Sequence, residues 1–174
     1  MPIVRLKGAD EAAYRRFLAD FEQAGEPIIP AWFCDRSWSA ARCAEEIEAQ
    51  ERGERLSYAQ VPGTTRFLEV EGELVGVANF RQVLRGDLYR YAGHIGYSVA
   101  PSRRGRGHAT ELLRWAMAYG AERGIEALVV TVDPGNAASR RVVRKCGGLH
   151  VQTYTHEEKG REVMLFSLPT QSSR

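Results

Sequence analysis

The sequence has few cysteines and no long hydrophobic run. Its three cysteines, Cys34, Cys43 and Cys146, are scattered and odd in number, without the spacing of a metal or CxxC redox site. We expect them to be reduced structural thiols of a cytoplasmic protein. No apolar stretch approaches the ~20 residues of a membrane span, and residues 1–7 lack the apolar region of a signal peptide. Neither a secreted disulfide scaffold nor a membrane protein is therefore expected.

The chain as a whole also has little net charge, but its two halves differ in the sign of their charge. The 174 residues have a formal net charge of +2. Residues 1–75 contain 14 acidic and 9 basic side chains, net −5, whereas residues 76–174 contain 8 acidic and 15 basic ones, net +7. A basic half suggests an anionic ligand, although most of these charges are expected to be solvated.

Hydrophobic periodicity predicts the element order β-α-α-β-β-β-α-β-α-β-β. The predicted strands cover about residues 3–6, 64–70, 74–83, 91–99, 127–132, 149–154 and 163–168, and the predicted helices about 10–24, 37–52, 107–124 and 136–146. This order indicates an α+β (α/β/α) fold, with a mixed, mostly antiparallel sheet of about six to seven strands and about four flanking helices. No shift in composition marks a second domain, so residues 1–174 are expected to form one.

A glycine-rich turn, Arg103-Arg104-Gly105-Arg106-Gly107-His108-Ala109, lies between a predicted strand and an amphipathic helix. The N-terminus of a helix offers unpaired N–H groups and partial positive charge, and glycines allow close backbone approach. Arginines add charge and bidentate donors, so the turn predicts a phosphate or pyrophosphate cradle. It matches neither GxxxxGK[ST] nor GxGxxG. A turn with solvated arginines and a nucleic-acid-binding tract are the alternatives, but the near-neutral net charge does not favour nucleic acid.

Two segments resemble motifs of a known family, the GNAT acetyltransferase superfamily. Residues 99–113 resemble motif A, whose core Arg/Gln-x-x-Gly-x-Gly/Ala is met by Arg104, Gly107 and Ala109. Residues 136–148 resemble motif B in its RimJ/RimL-like form. The resemblance covers essentially the whole chain and is closest to a bacterial branch of predicted acetyltransferases.

The resemblance implies that acetyl-CoA is the donor and lies where two central strands splay apart. An amine of a small molecule or peptide would attack its thioester directly. The implied cofactor contacts are Tyr97, Val99, Arg104, Gly105, Arg106, Gly107, His108, Ala109, Asn136 and Ser139. The resemblance also implies a cytoplasmic enzyme without nucleic-acid, membrane or metal partners, and a possible homodimer.

The catalytic groups are less clear from the sequence. Many relatives carry a general-acid tyrosine seven residues after the motif B asparagine, where this chain has Val143. His94, whose ordinary pKa of about 6.5 suits proton removal, and Asp133 are the candidate catalytic residues. Glu69 and Glu71 are alternatives as the base. His94 as a hydrogen-bonded strand residue and Asp133 as a turn residue remain open alternatives.

The acceptor is not encoded in either motif. Asn79 and Arg81 share one face of a predicted strand, where Arg81 would suit an acceptor carboxylate if it is not simply a surface arginine. Trp32, Phe33 and Trp38 either line an acceptor pocket or pack a lid over the sheet. The missing tyrosine also leaves a second function open, that of a non-catalytic acyl-CoA-binding or sensing module.

Overall fold

The computed structural model describes residues 1–30, 35–56, 61–156 and 160–170. The strands in these ranges are β1 (Ile3–Val4), β2 (Gly63–Val70), β3 (Glu73–Arg81), β4 (Ile95–Val99), β5 (Ala127–Val132), β6 (Leu149–His156) and β7 (Arg161–Pro169). The helices are α1 (Glu11–Ala24), α2 (Ala40–Glu51), α3 (Asp87–Tyr91), α4 (His108–Ala121) and α5 (Ala137–Lys145). The predicted element order is confirmed, with α3 as an additional short helix. No helix in the described ranges is long and apolar enough to cross a membrane.

The strands form two sheets, in the orders β1-β2-β3-β4 and β5-β7-β6. In the first sheet β2 and β3 are antiparallel, with Thr65 opposite Asn79. In the second sheet β7 runs antiparallel to both neighbours, and Val130 lies opposite Phe166. The predicted α+β class with mostly antiparallel strands is therefore confirmed.

The chain divides into two compact units. The first contains Met1–Gln82 and Gly96–Leu112, and the second contains Val83–Ile95 and Leu113–Arg174. The division falls within β4 and within α4, so each of these elements contributes residues to both units.

The core of the first unit is built by the apolar face of α1. Tyr14, Phe17 and Phe21 recur at helical spacing and are almost completely buried. The Phe17 ring packs edge-to-face on Phe21 at 5.2 Å and on Phe67 of β2 at 5.8 Å between ring centroids. The helix ends at Gly25, whose φ of +66° is the left-handed conformation that favours glycine.

The core of the second unit is built by β5 and β7. Leu128, Val130 and Val132 are buried at alternate positions of β5, as expected for a strand that is covered on one face. They belong to the strand that pairs with Phe166 and Leu168 of β7, which are also buried. This sheet supports the residues of motif B, which follow β5 directly.

The strand predicted for residues 91–99 is shorter in the structure and begins at Ile95. Helix α3 occupies the preceding residues, and Tyr91 at its end stacks on His156 with 4.0 Å between ring centroids. Gly93 then takes a φ of +62°, a left-handed conformation that is incompatible with a continuing strand. This backbone turn was not predicted from the hydrophobic pattern.

Candidate active site

The glycine-rich turn lies in the first unit and joins β4 to α4. A short 3₁₀ helix over Pro101–Arg103 precedes it, and α4 begins at His108. Gly105 and Gly107 have φ of +77° and +86°, and a Cβ on either would meet no atom within 4 Å. Both glycines are therefore required by their backbone conformation, and the space beside them is open. The N–H groups of Thr110 and Glu111 in the first turn of α4 donate to the Gly107 carbonyl at 2.9 and 3.2 Å, so those of His108 and Ala109 are the ones suited to an anion.

The Arg104 side chain is bound to a carboxylate. Its Nη1 and Nη2 donate to Oε1 and Oε2 of Glu26 at 2.9 and 2.6 Å, and its Nε donates to the carbonyl of Val99 at 3.2 Å. Hydrogen bonding to Arg104 lowers the pKa of the Glu26 carboxyl, and the same contact raises the pKa of Arg104. The guanidinium thus braces the turn through an ion pair that stays accessible to solvent.

A second carboxylate holds the residue directly before the turn. Asp20 of α1 accepts hydrogen bonds from the backbone N–H and the hydroxyl of Ser102, at 3.2 and 2.7 Å. Sequence reasoning missed both Asp20 and Glu26, because each lies about eighty residues from its partner in the chain. The only local signal was the position of Glu26 directly after Gly25, the residue that ends α1.

His108 is the most buried polar side chain of the turn, with 6% of its surface exposed. Its Nδ1 is buried and has no hydrogen-bond partner among the described residues. Burial lowers the pKa of the His108 imidazole, and the neighbouring charges of Arg106 and Arg103 lower it further. The turn is therefore electropositive at His108, and a bound phosphate group would offset that potential.

The end of β4 offers backbone groups beside the turn. Val99 is buried and Tyr97 half-buried. One lone pair of the Val99 carbonyl is engaged by Arg104, and the next N–H, that of Ala100, donates to Val75 at 3.0 Å. A ligand that hydrogen-bonds to the backbone of this strand could therefore use the second lone pair of the Val99 carbonyl, together with backbone groups near Tyr97.

His94 belongs to the second unit and is bound to Val129 of β5 through two hydrogen bonds. The backbone N–H of His94 donates to the Val129 carbonyl at 2.7 Å, and the ring Nδ1 accepts from the Val129 N–H at 2.8 Å. Because Nδ1 is an acceptor, the neutral ring carries its proton on Nε2. The geometry therefore disfavours the general-base role considered from the sequence, since the only lone pair of the ring is already engaged. The Nε2 of His94 is therefore the nitrogen that carries the proton.

Asp133 is a turn residue in the structure. Its Oδ1 accepts from the N–H of Gly135 at 2.7 Å, and its carbonyl accepts from the N–H of Asn136 at 2.9 Å. Its side chain is exposed at the end of β5. These contacts support the turn reading of Asp133, and its catalytic role stays a prediction.

Motif B forms α5 and the turn that precedes it. The Asn136 side chain caps the helix, since its Oδ1 accepts from the N–H of Ser139 at 3.0 Å.

Two side chains of α5 have buried atoms. The Nε of Arg140 is buried with no hydrogen-bond partner in the described part of the chain, a feature that the sequence did not reveal. Val143 is completely buried, and a Cβ on Gly148 would overlap its Cγ1. At the position expected for a general-acid tyrosine, this chain therefore has a buried valine that packs in the interior.

Asn79 and Arg81, the two residues predicted to contact the acceptor, both lie in the first unit but have different neighbours. Asn79 is buried and donates to Gln50 and Thr65 at 3.2 and 2.9 Å, so its side chain belongs to an internal polar network. Arg81 is half-buried beside Gly96, and burial lowers the pKa of its guanidinium, so it is not a fully solvated arginine.

The aromatic residues predicted near the acceptor are only partly described. Trp38 packs against the hydrophobic core of the first unit and lies under the Arg42 guanidinium, which supports the packing interpretation. Trp32 and Phe33 lie outside the described residues. Glu71, considered as a base, is exposed in the hairpin turn between β2 and β3 with a φ of +53°. No group of three or more His, Cys, Asp or Glu in the described ranges is arranged to hold a metal ion.

Comparison with known proteins places this site in context. The family model for the Acetyltransferase (GNAT) family matches residues 30–148. No curated protein matches the sequence. Among solved structures, RimJ of Mycobacterium smegmatis in complex with CoA-disulfide is similar, with 23% identity, a TM-score of 0.70, and coverage of 96% of this chain and 80% of that chain.

Two further solved structures cover nearly all of both chains. The N-acetyltransferase from Staphylococcus aureus Mu50 has 23% identity, a TM-score of 0.64 and 98% coverage of each chain. The yncA protein of Salmonella typhimurium, solved with its cofactor acetyl-CoA, has 20% identity, a TM-score of 0.63, and coverage of 99% of this chain and 95% of that chain. At these identities the likeness shows a common fold.

Proposed function

Because the chain belongs to the GNAT acetyltransferase family, we propose that it transfers an acetyl group from acetyl-CoA to a primary amine of a small molecule or a peptide. It is an acyltransferase, and acetyl-CoA is the donor that this family uses. The observation that carries the proposal for this chain is the turn before α4. Its two left-handed glycines, the open space beside them and the electropositive, buried His108 fit the pyrophosphate of CoA.

The residues of the turn would hold the cofactor mainly through the backbone. The N–H groups of Arg104 to Ala109 are the predicted ligands of the pyrophosphate, and Arg106 adds an exposed positive charge. Tyr97 and Val99 on β4 are kept as predicted contacts of the pantetheine arm. From the second unit, the proposal keeps Asn136 and Ser139. When bound, acetyl-CoA supplies an acyl group that is activated as a thioester.

The catalytic part of the proposal assigns a donor rather than a base to His94. The Nε2–H of a ring whose tautomer is fixed by Val129 is the kind of preorganised donor that stabilises developing negative charge. A free thiol has a pKa of about 8.5, so release of the thiolate does not require the tyrosine that Val143 replaces. The amine would then enter the reaction in its neutral form, and the proton that it loses as the amide forms would pass to the released thiolate. Asp133 is kept as the tentative second catalytic residue.

Calorimetric titration with acetyl-CoA tests the cofactor site. We expect the wild-type protein to bind and Gly107→Glu to lose binding, because the variant places a carboxylate and a strained side chain in the turn. Gly124→Glu is the matched control, since Gly124 has a similar φ of +72° and a Cβ there would also meet no atom within 4 Å, but it lies outside the turn. Absence of binding to the wild-type protein, or equal loss in both variants, would contradict the proposal.

A second candidate function is a non-catalytic acyl-CoA-binding module. The observations that favour it are the buried Val143 at the tyrosine position and the engaged Nδ1 of His94. Release of free CoA, measured with a thiol reagent in the presence of a panel of amines and peptides, separates the two. Turnover with any amine supports the enzyme, whereas tight binding without release of CoA above the rate of buffer hydrolysis supports the module.

The assembly and location of the enzyme form the last part of the proposal. We extend it to a cytoplasmic, bacterial, single-domain enzyme over residues 1–174 that forms a homodimer. The edge strand β6 favours self-association, because Leu149 and Val151 have 69% and 58% of their surfaces exposed. Sedimentation should show a dimer that Val151→Lys weakens while Val83→Lys does not, and thermal unfolding should show one cooperative transition. A monomer at all concentrations would exclude the dimer.

A further inference from the structure

The way in which Arg104 is held suggests a role different from that of the other arginines in the turn. We propose that Arg104 is a positioning residue, whose guanidinium fixes the turn through Glu26 and Val99 instead of binding phosphate, and that Glu26 shares this role. The inference rests on the proposed function, because it takes the turn to be the pyrophosphate site. It adds Glu26, which neither motif contains.

The geometry of the guanidinium is the first argument. The two parallel N–H groups of an arginine are the fork that grips a phosphate or a carboxylate. In Arg104 this fork is occupied by both oxygens of Glu26, at 2.9 and 2.6 Å. The Nε–H points back to the carbonyl of Val99 at 3.2 Å. A phosphate could take the fork only by displacing Glu26.

The distribution of charge is the second argument. Glu26 offsets the charge of Arg104, whereas the pKa of His108 is lowered by Arg106 and Arg103. Arg104 and Arg106 are both exposed, but the Arg104 guanidinium already faces the Glu26 carboxylate. Arg106 is therefore the better candidate for direct contact with an anion.

The anchoring of the turn is the third argument. Arg104 lies directly before Gly105, and its extended backbone (φ −69°, ψ 165°) sets the direction in which the turn leaves the 3₁₀ helix. Ser102 is held by Asp20 on the other side of Arg103. Two carboxylates, one from α1 and one from the segment that follows it, thus hold the N-terminal end of the turn at two points. A turn fixed in this way loses less conformational entropy when a ligand binds.

A charge reversal distinguishes a positioning residue from a phosphate ligand. We expect Arg104→Glu and Glu26→Arg, taken singly, each to weaken CoA binding about tenfold, because like charges then face each other at the base of the turn. The double variant, Glu26→Arg with Arg104→Glu, should recover affinity to within about threefold of wild type, because the ion pair is restored. If Arg104 contacts phosphate, the double variant will bind no better than Arg104→Glu, and the inference is overturned.

Arg106→Glu serves as the matched control. It places the same charge change two residues away, and Glu26→Arg should not rescue it. The salt dependence of CoA affinity should become shallower in Arg106→Gln, which removes a net positive charge from the turn, and remain that of wild type when Glu26→Gln and Arg104→Gln are combined, which removes a neutral pair. A shallower dependence in that combined variant would overturn the inference.

Two further measurements keep the test decisive. If the charge reversals do not fold, as judged by thermal unfolding, the milder pair Glu26→Gln and Arg104→Gln completes a double-mutant cycle. Coupled effects on CoA affinity support the inference and additive effects overturn it. If the wild-type protein itself binds no CoA, the proposed function and this inference fall together, whereas normal wild-type binding with an unrescued charge reversal removes the inference alone.

Discussion

The ring Nδ1 of His94 accepts a 2.8 Å hydrogen bond from the backbone N–H of Val129. The pair is closed by a second bond, from the His94 N–H to the Val129 carbonyl at 2.7 Å. A backbone amide cannot give up its proton at neutral pH, so it fixes the tautomer of the ring. The orientation of the imidazole is therefore set by the main chain of a neighbouring strand.

We predict that the neutral His94 ring is protonated on Nε2. Nitrogen-15 NMR of the imidazole resonances at pH 8 will show this tautomer directly, with His94→Gln used for assignment. A ring protonated on Nδ1 would contradict the donor role proposed above.

The kinetics of His94→Gln provide a second check of this prediction. Loss of a preorganised donor should lower kcat by about a hundredfold while the shape of the pH–rate profile stays the same. A general base would behave differently, because its removal would also remove the acidic limb of the profile.

Gly93 allows this contact by its close approach to Val129. A Cβ on Gly93 would lie 2.5 Å from the Val129 carbonyl oxygen, at a φ of +62°. We expect Gly93→Ala to lower the free energy of unfolding by about 3 kcal/mol, from left-handed strain together with the overlap. Gly124→Ala shares the left-handed φ without the overlap, and should cost about 1 kcal/mol in the same chemical denaturation measurement. If both variants lose the same free energy of unfolding, Gly93 does not approach the Val129 carbonyl closely.

His108 should make stability and CoA binding depend on pH. Its pKa is below the 6.5 of an unfolded-state histidine, so the native state binds fewer protons and stability rises with pH in this window. The contribution is complete above about pH 6.5 and is lost as the pH falls through the lower pKa of the folded state. The denaturation midpoint should therefore fall less between pH 7.5 and 5.5 in His108→Asn than in wild type.

Binding of CoA should partly reverse this shift, because the pyrophosphate charge favours the protonated imidazole. Calorimetry near pH 6 in two buffers of different ionisation enthalpy should detect proton uptake in wild type and less in His108→Asn. Equal uptake in both proteins would exclude His108 as the group that responds to the ligand.

Cys43 is predicted to be chemically inert in the folded protein. It is completely buried, and burial raises the pKa of its thiol to about 11. Since the thiolate is the reactive form, iodoacetamide at pH 8 should leave the Cys43 peptide unmodified until the protein is unfolded. Cys146, which is half-buried, is the internal control and should react in the native state. Rapid native labelling of Cys43, followed by peptide mass spectrometry, would show that α2 opens readily.

The sequence by itself determined the order of the main elements and the location of the glycine-rich turn before α4. Both depend on local rules: apolar residues at helical or alternating spacing, and glycines before an amphipathic helix. Gly105 and Gly107 have the left-handed backbone that such a turn requires, and α4 begins at His108 as the pattern predicted to within one residue. Local rules failed at residues 87–94, where α3 is too short to produce a periodic pattern and the turn at Gly93 replaces the start of the predicted strand.

Tertiary structure alone decided what the polar side chains are used for. Arg104 is paired with Glu26, which is 78 residues away, and Asn79 with Gln50, which is 29 residues away. His94 acquired a fixed tautomer only because β5 presents the Val129 N–H to it. A side chain's hydrogen-bond partner depends on which distant segment folds beside it, and no local spacing contains that information. The sequence therefore identified the candidate functional residues. The packing of distant strands and helices decided which hydrogen-bonding atoms of these side chains are already engaged.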